Sequence, residues 1–233
     1  MPSSINSAVP RSRRRDLVEL SLAYGLILVV VWTPRPWQSV LWMVAAAFIA
    51  TVTFLSFDGR KAMGLRTANL FSSLWVVGVA LVAAALAVVV AARMHTLHLP
   101  PGPVQFVQTY AGYAIFAFVQ QFLLQAIFLS RLMRLLPDAR FAAGLAALIF
   151  AVAHLPNPIL TPVTLVLGLA SCLVFLQYRN LYSLAVAHAI LGISIAVSVP
   201  GPVDHNMRVG LSYLAYSQHH PNAARTPSAS AQP

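Results

Sequence analysis

The sequence predicts an all-α polytopic membrane protein, a bundle of about seven transmembrane helices in an N-in/C-out orientation. Three observations predict it. Charged residues are only 9% of the 233-residue chain and hydrophobic residues 59%, whereas a soluble domain carries roughly 25% charged residues. Apolar runs close to the ~20 residues that cross a bilayer recur along the whole chain. The Lys and Arg residues gather in alternate gaps between those runs, as topology signals do.

The first run, Leu17 to Thr33, follows Arg11, Arg13, Arg14 and Arg15, the charge pattern of a signal peptide. No small-x-small cleavage site follows, only Trp32-Thr33-Pro34-Arg35-Pro36, so the run reads as an uncleaved first helix. Further runs are Trp37 to Phe57, Leu70 to Ala92, Phe106 to Leu129, Phe141 to Leu155, Pro162 to Gln177 and Leu181 to Val199. The fifth and sixth are short, which implies little tilt or partial spanning. Open strands are excluded, because lipid leaves their backbone groups unsatisfied, and the runs are too long for barrel strands.

With the N-terminus inside, the inner segments hold eleven basic residues (Arg11, Arg13, Arg14, Arg15, Arg60, Lys61, Arg66, Arg131, Arg134, Arg140 and Arg179). The outer ones hold four: Arg35, Arg93, Arg208 and Arg225. That bias accounts for much of the net charge of +10, so nucleic acid is not an expected partner. Membrane lipid is. Expected boundaries are a disordered basic N-terminus at 1–16, a membrane domain at 17–199 and a flexible tail at 200–233. Within the tail, Met207 to Tyr216 is a candidate interfacial stretch, and His219-His220 reads as tail. No internal repeat stands out. The expected location is a multi-pass position in a bacterial-type inner or plasma membrane.

The single cysteine, Cys172, lies in an apolar run. It excludes an intrachain disulfide and a Cys-based zinc motif, and reads as a packing residue. Asp16, Asp58, Asp138 and Asp204 all fall in expected loops, and the one Glu, Glu19, at the edge of the first helix.

Polar side chains inside apolar helices are the informative ones, since burial without partners costs free energy. Gln121 and Gln125 are four apart and share a helix face; Gln120 points about 100° away. His154 ends the run Leu148 to Ala153, with Phe150 one turn before it, and His188 sits midway along the last helix. Hydrogen bonding between helices explains such residues, and so does a polar site.

The order of these features resembles the CAAX-protease and bacteriocin-processing (CPBP) family of intramembrane peptidases, over roughly 59–199. Its motifs are E-E-x-x-x-R, F-x-x-x-H and H-x-x-x-N or H-x-x-x-D on successive helices. Here Gln120-Gln121-Phe122-Leu123-Leu124-Gln125, Phe150 to His154 and His188 to Gly192 fall at these places. The strings Met63-Gly64-Leu65-Arg66 and Tyr178-Arg179-Asn180-Leu181-Tyr182 also look like the family. The resemblance implies an endopeptidase acting on membrane-associated peptide or protein tails, with His154, His188, Gln120 and Gln121 at the catalytic positions. Gln125, Phe150 and Gly192 would line the site.

Both family Glu positions and the Arg position hold Gln, and the Asn position holds Gly192. A carboxylate takes a proton from water; an amide at neutral pH does not. Losing acid and Arg together also avoids a buried unpaired charge. The rival readings are therefore a pseudo-protease that binds a membrane peptide or lipidated tail, and a small transporter. No helix broken by Gly and Pro at mid-depth favours the transporter. No cofactor or metal is expected, since two His without carboxylate or thiolate make a poor zinc site.

Overall fold

The computed structural model describes residues 12–57 and 59–219. Expectations for residues 1–11, for Asp58 and for the segment from His220, including Arg225, fall outside the described residues. Helices run at α1 (Arg13–Val31), α2 (Trp37–Leu55), α3 (Leu70–Arg93), α4 (Pro103–Leu135), α5 (Ala139–Val152), α6 (Leu160–Tyr178) and α7 (Leu181–Ser198). Two short ones follow, α8 (Gly201–Asp204) and α9 (Gly210–His219). Among the described residues there is no strand, only an isolated bridge between Leu65 and Asn180. The fold is all-α and polytopic. Helices α2, α3, α4, α6 and α7 have the length and hydropathy of membrane spans. Helix α5 has 14 residues, and α1 carries Arg13, Arg14, Arg15, Asp16 and Glu19 in its first two turns.

Helix α4 opens with Pro103 at its first position, where the missing N–H costs nothing. It continues as α-helix to Phe122, as π-helix over Leu123–Leu129, and as α-helix over Ser130–Leu135. Helix α5 is N-capped by Asp138, whose carboxylate accepts from the Phe141 N–H at 2.8 Å. Its buried face carries Ala142, Ala143, Ala146 and Ala147. Small residues let α5 and α6 approach closely, and a Cβ at Gly168 of α6 would stand 3.4 Å from the Ala147 backbone. Cys172 lies fully buried in this core beside Leu129, Ala143 and Phe175, as a packing residue should.

The two short strings flanking α3 and α7 meet one another. The Gly64 carbonyl accepts from the Leu181 N–H at 2.9 Å. Asn180 donates to the Arg66 carbonyl at 3.1 Å and caps α7 by accepting from the Ser183 N–H at 3.1 Å. Gly64 has φ +74°, and a Cβ there would run into the Phe175 ring, so glycine is required for this docking.

Two placements, those of Asp16 and Asp204, correct the sequence reading. Asp16 is not in a loop: α1 begins at Arg13, and the Asp16 carboxylate is buried against Arg134 at 2.7 Å. Glu19 lies near the start of α1, at the edge of the first helix as expected. It is buried, accepting from Arg131 at 2.7 and 3.1 Å, from Arg15 at 2.7 Å and from Ser56 at 3.2 Å. Arg13 adds a bond to the Leu135 carbonyl at 2.7 Å. These contacts fasten α1 to the end of α4. Asp204 also proves helical and buried, at the end of α8.

Candidate functional site

Helices α1, α2, α4, α5, α6 and α7 surround a cavity of about 1190 Å³, lined mostly by apolar side chains. That is at or above the size of small-molecule pockets. Gln120, Phe150, His154, His188 and Gly192 reach its wall. Gln121 and Gln125 do not. They stand behind it, 3% and 0% exposed, which corrects the expectation that all three amides line the space.

The amides and imidazoles form two couples. Gln125 Nε2 donates to Gln121 Oε1 and to Ser171 Oγ, both at 3.1 Å; Ser171 in turn donates to the Gly168 carbonyl. With its oxygen so used, Gln121 turns its Nε2–H toward His188 Nδ1, 3.0 Å away. His188 must accept there, so its proton sits on Nε2. The second couple is opposite in sense. His154 Nδ1 lies 2.7 Å from the Phe150 carbonyl, which can only accept, so Nδ1 carries the proton. His154 Nε2 is left as an acceptor, with Gln120 Nε2 at 3.5 Å. The two His thus offer one donor and one acceptor nitrogen, both beside the Phe150 ring, whose centroid is 4.7 Å from His154 and 6.0 Å from His188.

Local structure explains the placement. Gln120 and Gln121 end the α-helical part of α4, and Gln125 lies within the π-helical stretch. A π-helical segment widens the turn and re-aims side chains, and such segments recur at functional sites. His154 lies in the turn just beyond α5, and its Nδ1 takes up the carbonyl of Phe150 four residues back.

Among the described residues, no carboxylate borders the cavity. Glu19 and Asp16 are engaged by arginines, and Asp138 caps α5. Nor do any three His, Cys, Asp or Glu among the described residues form a metal-holding group. Cys172 lies in the α5–α6 core rather than on the cavity wall.

Sequence reasoning passed over Tyr113. Its phenol fills the space where a side chain at position 192 would stand. A Tyr seven residues before Gln120, on the same helix face, was the available signal.

Residues 102–193 match the family model described as type II CAAX prenyl endopeptidase Rce1-like. The match spans less than half of the chain, and it contains both imidazoles, all three amides, Phe150, Gly192 and Tyr113. It agrees with the family that the motif order resembles. Comparison with curated proteins and with solved structures gives no match.

Proposed function

We propose that the protein, a homologue of CPBP-type intramembrane peptidases over 102–193, is a receptor that holds a membrane-associated peptide or lipid-modified protein tail without cleaving it. The observation that carries this reading is the neutrality of the site. Both imidazoles are oriented by amides and a backbone carbonyl, and among the described residues no carboxylate lines the cavity to take a proton from water or to stabilise an imidazolium. His188 can take a proton at Nδ1 only by giving up its bond from Gln121. The apolar cavity walls suit a hydrocarbon chain or an apolar peptide.

A second reading has its own support. His154 Nε2 keeps a lone pair held only by a 3.5 Å contact, so a histidine-based peptidase remains a coherent alternative. One experiment separates the two. Native protein and the variant Gln120→Glu/Gln121→Glu/Gln125→Arg, reconstituted in liposomes, are offered prenylated and unmodified membrane peptides. Photo-crosslinking reads binding, and mass spectrometry reads cleavage. The receptor reading expects the native protein to bind without cleaving, and the variant to cleave in a manner lost on His154→Ala. Native cleavage lost on His154→Ala or His188→Ala overturns it in favour of the enzyme. If neither protein binds nor cleaves, the amides and imidazoles serve as polar links between helices. Adding Gly192→Asn is no help here, because Tyr113 leaves no room for a side chain at that position.

The orientation belongs to the same proposal: Lys61 inside and the segment after Val199 outside, in a bacterial-type inner or plasma membrane. Impermeant thiol labelling of single cysteines in a Cys172→Ala background reads it directly. Strong labelling at position 61 in intact cells, with none beyond Val199, would reverse the orientation.

A further inference from the structure

We infer that the Tyr113 hydroxyl is the group that recognises a carbonyl oxygen on the ligand, at the point where an apolar chain meets its polar head. The inference rests on the receptor reading above and adds the chemistry of what is held.

Tyr113 projects from α4 into the cavity, and its ring lies over Gly192 of α7. A Cβ built on Gly192 would collide with the Tyr113 hydroxyl and would stand 2.6 Å from the ring Cε1. The absence of a side chain at 192 is therefore what admits the phenol. Gly192 lies four residues beyond His188 on the same face of α7, about 6 Å along the axis. The hydroxyl is thus brought to the stretch of wall that already holds the His188 ring.

The hydroxyl makes no hydrogen bond to any described residue. The imidazole Nδ1 atoms of the wall are engaged: His188 with Gln121 behind it, and His154 with the Phe150 carbonyl. A phenol O–H held against an apolar surface without a partner loses the bond it would make in water. A ligand acceptor restores it. A carbonyl at the junction of chain and head is the acceptor that fits, because its oxygen presents lone pairs that a phenol O–H can reach. Most of the rest of the lining is apolar, which selects a long hydrocarbon chain attached to that carbonyl: an ester, thioester or amide of an amphiphile, or a peptide carbonyl beside a lipidated residue.

The test uses the full-length protein in nanodiscs and two probes of equal chain length, a diazirine-bearing hexadecanoate methyl ester and a diazirine-bearing alkane, which offers no acceptor. Photolabelling is read by mass spectrometry. Native protein should take the ester about threefold to tenfold more than the alkane, the range of one net hydrogen bond. Tyr113→Phe keeps the ring over Gly192 and removes only the hydroxyl. It should label equally with the two probes, and an unchanged thermal unfolding temperature reports an intact fold. Gly192→Ala, which drives the phenol out of its place, should abolish the same preference. Retention of the ester preference in Tyr113→Phe, or equal labelling of the two probes by the native protein, overturns the inference and leaves the receptor reading standing. Labelling of native protein by neither probe removes the receptor reading, and the inference with it.

Discussion

At the Arg13 end of the bundle Arg131 meets Glu19 at 2.7 Å, both buried; midway along the cavity Gln121 meets His188 at 3.0 Å with no charge on either. Helix α4 supplies Arg131 to the first pair and Gln121 to the second, about three turns apart. At the first place charge is retained because every charged group has a partner: Arg131 and Arg15 on Glu19, Arg134 on Asp16. At the second, acid and base are both missing, and amides keep the hydrogen-bonded geometry. The difference teaches that this chain can bury ions where they join helices. The neutrality of the cavity wall is then a property of the site rather than of the protein as a whole.

The contrast can be broken most forcefully at Glu19. Glu19→Ala leaves Arg131, 2% exposed, without its anion, and should cost about 3–5 kcal/mol. A fall in thermal unfolding temperature of the detergent-solubilised protein reads this. The double change Glu19→Gln with Arg131→Met should recover most of the loss, because two well-packed neutral groups replace an ion pair at little cost. An unchanged unfolding temperature in the single variant would show that the latch carries no load.

Breaking the neutral cluster should cost less. Gln125→Leu removes the two bonds from its amide to Gln121 and Ser171, for a loss of about 1–2 kcal/mol. It also frees the Gln121 amide to turn, so His188 should lose its fixed tautomer. Nitrogen chemical shifts of labelled His188 report that change directly, and a single unaltered tautomer would contradict the relay from Gln125.

Asp16→Asn falls in the same range or slightly below, about 1–2 kcal/mol, because the Arg134 side chain is 33% exposed and stays in reach of water. The smallest change is expected for Cys172→Ala. The thiol is buried in the α5–α6 core, so about 1 kcal/mol or less is lost to the small void, with ligand labelling unchanged. A loss of labelling at normal expression would give the cysteine a role that its place in the core does not suggest.

Much of the site was legible before any coordinates. Gln120, Gln121, His154 and His188 announce themselves because lipid-spanning runs tolerate few polar groups, and their order along the chain carries the family resemblance. The bond from Gln125 to Gln121 follows from a spacing of four. What was not legible is which groups face the cavity. Gln120 and Gln121 are neighbours in sequence, yet one reaches His154 on the wall and the other His188 from behind it. Asp16 was misread because a charged stretch before an apolar run has the composition of a loop. Only the packing of α1 on α4 supplies the arginines that let it be helical and buried.

The sequence by itself determined the fold class, the approximate positions of the spans and the identity of the polar residues within them. Hydropathy and the bilayer's demand for internally satisfied backbone are properties of each segment taken alone. The tertiary structure decided the rest. It joined Glu19 to Arg131 across 112 residues of chain, placed the π-helical stretch that holds Gln125, and laid the Tyr113 phenol over Gly192. Each of these depends on how one helix is rotated against another. That rotation is set by the summed packing of faces far apart in the chain, such as the alanine face of α5 on α6, and no local pattern of residues encodes it.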